Sequence, residues 1–132
     1  MSDAPSSPPA PGEVRLSILF VEDHEATSVV MAKLLRRRGH TVVTVSSRAE
    51  AEAAAAVGKF DCLISDLRLP DGSGHDLMRA MRERYGLAGI AVSGSGDLQE
   101  ALASGFSQHF TKPVDIDCLH RALLEVAAAA QA

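Results

Sequence analysis

Five chemically capable side chains stand directly behind or at the end of short apolar runs in this 132-residue sequence. Glu22 and Asp23 follow LSILFV (16–21), Asp66 follows CLIS (62–65), Ser93 closes GIAVS (89–93), and Lys112 with Pro113 follows SQHFT (107–111). Three carboxylates brought to one place repel, and they stay ionised together only by sharing a cation. A hard divalent ion with oxygen ligands resolves that repulsion, most naturally Mg²⁺, which keeps several of its waters. A single ammonium is too little charge for that task. Lys112 is better suited to a point contact with an anion.

The apolar runs that carry these residues alternate with helix-like segments. LSILFV is a continuous run of strand length. Residues 25–38 set Val30, Met31, Leu34 and Leu35 on one stripe, and Arg36-Arg37-Arg38 before Gly39 marks a helix end. TVVTV (41–45) is a β-branched strand, and Ser46-Ser47 offers an N-cap to an Ala/Glu-rich helix reaching Val57-Gly58. After CLIS comes the turn cluster Pro70-Asp71-Gly72-Ser73-Gly74, then a helix with Leu77, Met78, Met81 and Tyr85 on one face. GIAVS precedes a short helix at about 97–104 with Leu98 and Leu102 inward, and SQHFT precedes a last helix at 115–128 whose Ile116, Leu119, Leu123 and Val126 are spaced for burial. Five such β–α units predict an α/β fold with a doubly wound parallel sheet. Ligands on such sheets sit at the carboxyl ends of the strands, where the five side chains fall.

Composition excludes several alternatives. The chain carries 13 Lys+Arg against 17 Asp+Glu, a formal charge of −4, so it has no basic excess for a phosphate backbone and direct nucleic-acid binding is not expected. No apolar stretch approaches the ~20 residues that span a bilayer, so no membrane contact is expected of this segment. Two cysteines, Cys62 and Cys118, are too few for a disulfide framework, and a cytoplasmic location is expected. Residues 1–13, rich in Pro, Ser and Ala, read as a disordered tail or linker ahead of a single domain over 14–132.

The stretches ILFVEDHE, LISDLRLPDGSG, IAVSGSG and FTKPVD, taken together and in this order, resemble the receiver domain of two-component response regulators over about residues 16–128. That resemblance implies a flavodoxin-like (CheY-like) five-stranded parallel sheet, (βα)5, with strand order 2-1-3-4-5. It implies that Asp66 is the phosphoacceptor, forming an acyl phosphate with a phosphohistidine or a small phosphodonor. Asp23, Asp66 and the backbone carbonyl of Arg68 would ligate Mg²⁺, with Glu22 acting through water. Lys112 would contact the phosphoryl oxygen, and Ser93 would bond to it once formed, as the switch. Gly94 leaves the approach to the site clear of a side chain, and Pro113 is expected to follow a cis bond. The chemistry is consistent with these roles, since phosphoryl transfer needs positioning and charge neutralisation more than covalent work from the protein. No enzymatic activity beyond self-phosphorylation and autodephosphorylation is expected.

Taken singly, each of these residues has an ordinary structural reading: Asp66 as a helix cap, Ser93 as a structural hydroxyl, Lys112 as a surface lysine. Their shared position at strand ends tips the balance. His24 reads as a solvated loop residue, and His40, His75 and His120 read as exposed. Three features depart from the family pattern. His109 stands where a switch Tyr or Phe is common, and an imidazole is smaller and can hydrogen-bond. The interval from Ser93 to Lys112 is about one helical turn short. Arg68 and Ser95 occupy the variable flanking positions that tune phosphate lifetime.

A haloacid-dehalogenase-like aspartate phosphatase is a rival, but its nucleophile lies in a DxD motif after the first strand, whereas Asp66 follows the third. A flavodoxin-like cofactor binder is disfavoured because Glu22, Asp23 and Glu25 would repel a bound phosphate. A receiver used only for docking would not need five competent site residues. The expected partners are a histidine kinase or histidine phosphotransfer domain, with the chain itself a monomer or weak dimer. The Pro/Ser-rich start favours the C-terminal receiver of a hybrid sensor histidine kinase over a stand-alone regulator.

Overall fold

The structure is a computed structural model and describes residues 15–94 and 98–130, with side chains to residue 129. The tail at 1–13 and the flanking Ser95 lie outside the described residues. Strands β1 (Ser17–Val21), β2 (Thr41–Val45), β3 (Cys62–Ser65), β6 (Ala88–Ser93) and β7 (Gln108–Thr111) form one parallel sheet in the order β2-β1-β3-β6-β7. This is the expected 2-1-3-4-5 order. Between β3 and the next helix, β4 (Arg68–Leu69) and β5 (Gly72–Ser73) make a small antiparallel ribbon around the Pro70-Asp71 turn.

Five helices cover the sheet: α1 (Glu25–Arg37), α2 (Arg48–Val57), α3 (Gly74–Tyr85), α4 (Leu98–Ser104) and α5 (Ile116–Ala130). The alternation of side chains along each strand divides the interior into two cores. Ile18, Phe20, Ile64 and Ile90 pack with Leu35 of α1 and Leu119 and Leu123 of α5. On the other face Leu19, Leu63 and Ala91 pack with Ala51 of α2, with Leu77, Met78 and Met81 of α3, and with Ala101 of α4. Each fully buried Leu or Ile contributes about 1.5–3 kcal/mol relative to exposure.

Local signals account for the helix ends. Ser47 caps α2 by accepting from the Glu50 amide at 3.1 Å, and Gly39 adopts the left-handed conformation (φ 96°) just beyond α1. Asp71, from the turn of the ribbon, accepts from the Arg48 and Ala49 amides at 2.7 and 2.9 Å, tying the β4–β5 turn to the start of α2.

Several predicted inward residues point out. Val30 and Tyr85 are exposed because α1 buries Ser28, Met31, Ala32 and Leu35, while α3 buries its face only as far as Met81. In α4 the buried positions are Ala101 and Ser104, and Leu98 and Leu102 are 52% and 47% exposed. Small residues let this short helix lie close to the sheet, which turns its leucines toward solvent.

The histidines also differ from expectation. His40 is only 4% exposed, accepting from the Leu16 amide on Nδ1 at 3.1 Å and meeting His120 Nδ1 through Nε2 at 3.1 Å. His75 is half-buried, with Nδ1 2.8 Å from the Ser104 hydroxyl. Exposure is the default for histidine only where no backbone donor or second ring reaches it.

Candidate functional site

Parallel strands bring their carboxyl ends to one edge, and the residues that follow them meet there. Backbone bonds fix the approach: the Glu22 amide donates to the Val45 carbonyl (3.0 Å), the Asp66 amide to Val21 (3.1 Å), and the Lys112 amide to Ser93 (2.7 Å). The adjoining Lys112–Pro113 peptide bond is cis, as expected. Glu22, Asp23 and Asp66 each offer a carboxylate oxygen within 4.8 Å of the others, from a buried, an exposed and a half-buried position respectively.

The Asp66 carboxylate is held at both oxygens. Oδ1 accepts from the Arg68 amide at 3.1 Å and Oδ2 from Lys112 Nζ at 2.8 Å. Lys112 Nζ also lies 2.6 Å from Glu22 Oε1, while Glu22 Oε2 accepts from the His24 amide at 3.0 Å. Burial pushes the Lys112 ammonium toward neutrality, but hydrogen bonds to Asp66 and Glu22 outweigh it and hold its pKa above the ordinary value. The amine is therefore a permanent cation between two carboxylates.

Asp23, Asp66, Arg68, Ser93 and Gly94 line an open cleft of about 240 Å³. Ser93 is buried, and its hydroxyl lies 3.0 Å from His109 Nε2. Among the described residues, a Cβ on Gly94 would meet no atom within 4 Å, so their packing does not require a glycine there. His24 stays outside the carboxylate group, with Nδ1 on the Thr27 hydroxyl at 2.9 Å.

One positioning residue escaped the sequence reading, which treated Gly74 only as part of a turn. The Gly74 amide donates to the Leu67 carbonyl at 2.9 Å, and a Cβ there would sit 2.2 Å from the Asp66 carbonyl oxygen. A glycine as the first residue of a helix, where many better helix formers fit, is the signal that marks it.

The donor set suits a hard divalent cation. Anionic oxygens of Glu22, Asp23 and Asp66 gather together, the last two lining the open cleft, and among the described residues neither sulfur nor imidazole joins the group. Residues 18–124 match the model of the response regulator receiver domain. The chain belongs to that family.

A response regulator receiver protein of Anaeromyxobacter sp. (strain Fw109-5) is 37% identical over 109 residues, covering 76% of this chain and 44% of that protein. The aerobic respiration control sensor protein ArcB of Escherichia coli (strain K12) is 28% identical over 110 residues, covering 79% of this receiver chain but 14% of ArcB. The chain thus spans less than half the length of these two curated relatives. Among solved structures, the response regulator receiver domain (CheY-like) from Methylobacillus flagellatus is 30% identical with a TM-score of 0.76, covering 86% of this chain and 99% of that one. Among the described residues, no helix is long and apolar enough to cross a membrane.

Proposed function

We propose that this receiver domain accepts a phosphoryl group on Asp66 from a phosphohistidine and passes the signal on through Ser93. The observation that carries this reading is the Asp66 carboxylate itself, oriented by the Arg68 amide and Lys112 and facing a cleft shared with Asp23 and Ser93. An Asp66 carboxylate oxygen attacks phosphorus in line, the P–N bond breaks with its electron pair going to the departing imidazole nitrogen, and the imidazole takes a proton from solvent. Lys112 stays on the incoming phosphoryl oxygens as a fixed positive charge, and Ser93 donates its hydroxyl proton to one of them. Asp23, Asp66 and the Arg68 carbonyl would hold Mg²⁺ directly and Glu22 through water. Bound there, the ion supplies neutralisation for the added negative charge. Turnover is confined to loading and hydrolysis of this one phosphate.

The partner on this reading is a histidine kinase or histidine phosphotransfer domain, in the cytoplasm. The likeness to a stretch of a much longer sensor protein supports a receiver within a hybrid sensor kinase, residues 1–13 acting as its linker and 14–132 as the domain. The reading frame upstream of residue 1 decides between that and a free-standing regulator.

Incubation with acetyl phosphate and Mg²⁺ is expected to add one phosphoryl group by intact mass. Chelating the cation or replacing Asp66→Asn is expected to abolish it. An adduct that persists in the Asp66→Asn protein would overturn the assignment.

A further inference from the structure

We infer that His109 is a positioning residue for the Ser93 hydroxyl and that it stays on that hydroxyl in the phosphorylated state, as the donor. The inference rests on the phosphoacceptor reading of Asp66. It begins from the register of neighbouring strands: in the parallel β6–β7 pair His109 lies opposite Ala91 and Thr111 opposite Ser93. The imidazole reaches along the ladder from there, and its Nε2 comes to 3.0 Å from Ser93 Oγ. The hydroxyl is buried at the lip of the cleft that holds Asp66, and the ring is half-buried behind it.

Proton counting then constrains the pair. A serine hydroxyl has one proton to give and two lone pairs to receive with, whereas the oxygens of an ionised phosphoryl group only accept. Whatever else Ser93 touches, its single proton must turn to the phosphoryl group once Asp66 carries one. His109 keeps its 3.0 Å contact in that state only if Nε2 bears a hydrogen. Either the neutral tautomer with a bare Nδ1 or the imidazolium meets that condition. The result is a relay, His109 Nε2–H to Ser93 Oγ–H to phosphoryl oxygen, in which each bond polarises the next. A phenylalanine at this position can pack against Ser93 but offers no donor. Residue 109 therefore acts here by hydrogen bonding rather than by burial of a ring.

Beryllofluoride, an acyl-phosphate mimic, tests this on the intact chain, with ¹⁹F spectra reporting occupancy of Asp66 and ¹⁵N spectra reporting the His109 ring. With the site filled, Nε2 is expected to be the protonated nitrogen, and Ser93→Ala is expected to shift its resonance. His109→Phe is expected to weaken beryllofluoride binding about three- to tenfold, the range of one hydrogen bond. His109→Gln, whose amide N–H reaches a similar point, is expected to restore most of it. In a Ser93→Ala background His109→Phe is expected to add no further loss. A bare Nε2 with the site filled, or an equal loss in both backgrounds, overturns the inference while leaving Asp66 as acceptor. Failure of beryllofluoride to occupy Asp66 removes both readings together.

Discussion

A Cβ placed on Gly74 would lie 2.2 Å from the carbonyl oxygen of Asp66 and 2.9 Å from the Cα of Leu67. The first turn of α3 is therefore packed against the backbone that aims the Asp66 carboxylate, with no room between them. Both close atoms belong to the main chain, so relief requires moving the strand end or the helix.

Gly74→Ala is expected to cost about 1–3 kcal/mol by overpacking and to slow Asp66 phosphorylation by displacing its backbone. Gly94→Ala is the contrast, because no described residue stands within 4 Å of that Cβ. Its stability is expected to stay within about 0.5 kcal/mol of the parent while phosphorylation slows, the added methyl lying beside the cleft. Urea denaturation and adduct formation from acetyl phosphate separate the two effects. A Gly74→Ala protein of unchanged stability would contradict the packing.

Lys112 holds two carboxylates, and the Glu22 side chain among them is only 2% exposed. Lys112→Met leaves that carboxylate without its ammonium. We expect a loss of about 2–3 kcal/mol, smaller than for a fully enclosed pair because Lys112 is itself about a quarter exposed. Phosphoryl uptake should drop by about 100-fold, the scale of removing one preorganised positive contact. Denaturation midpoints, alongside adduct kinetics, check both statements.

His40 makes stability depend on pH. Burial, with smaller contributions from His120 and Arg38, lowers its pKa from 6.5 to about 4. Between those values the unfolded chain binds the proton and the folded chain does not, so stability is full above about pH 6.5 and falls as the pH drops toward 4. The decline should be on the order of 2–3 kcal/mol across that window. Protonation has no free place to go: Nδ1 of His40 already accepts from Leu16, and Nδ1 of His120 faces His40 Nε2. His40→Asn can still accept from Leu16 but does not reach His120. It should be less stable at pH 7.5, with a flatter slope below pH 6.5. Unfolding free energies measured from pH 4 to 8 are the check, and an unchanged slope would discount His40.

The strand ends were the most legible part of this sequence, because a buried parallel strand is a short continuous apolar run and the next polar residue marks its carboxyl end. Glu22, Asp23, Asp66, Ser93 and Lys112 could be placed at one edge on that basis. Helix faces were less legible where small residues do the packing. Ala101 and Ser104 lie against the sheet in α4, and a search for large apolar side chains picks Leu98 and Leu102 instead. Histidine burial was not legible at all, since the meeting of His40 and His120 joins residues 80 positions apart. Gly74 shows a further limit: a glycine forced by close approach looks, in sequence, like one chosen for a turn.

The carboxylate cluster leads to a last expectation, about the cation. Glu22, Asp23 and Asp66 bring three negative charges within 4.8 Å of one another, and Lys112 Nζ pairs with Glu22 and Asp66 but not with Asp23. Asp23 is the exposed member and is left facing the other two, so a divalent ion binding the folded chain should stabilise it. At a free Mg²⁺ concentration about tenfold above its dissociation constant the gain is ~1.4 kcal/mol, or about 4–6 °C in Tm for a domain of this size. NaCl at matched ionic strength should give much less, because general screening cannot replace a divalent ion bound among the carboxylates. Asp23→Asn should remove most of the Mg²⁺ effect and raise stability without the ion, since one repulsive charge is gone. Thermal melts of both proteins with Mg²⁺, with NaCl and with chelator decide it. Equal stabilisation of the two proteins by Mg²⁺ would place the ion elsewhere.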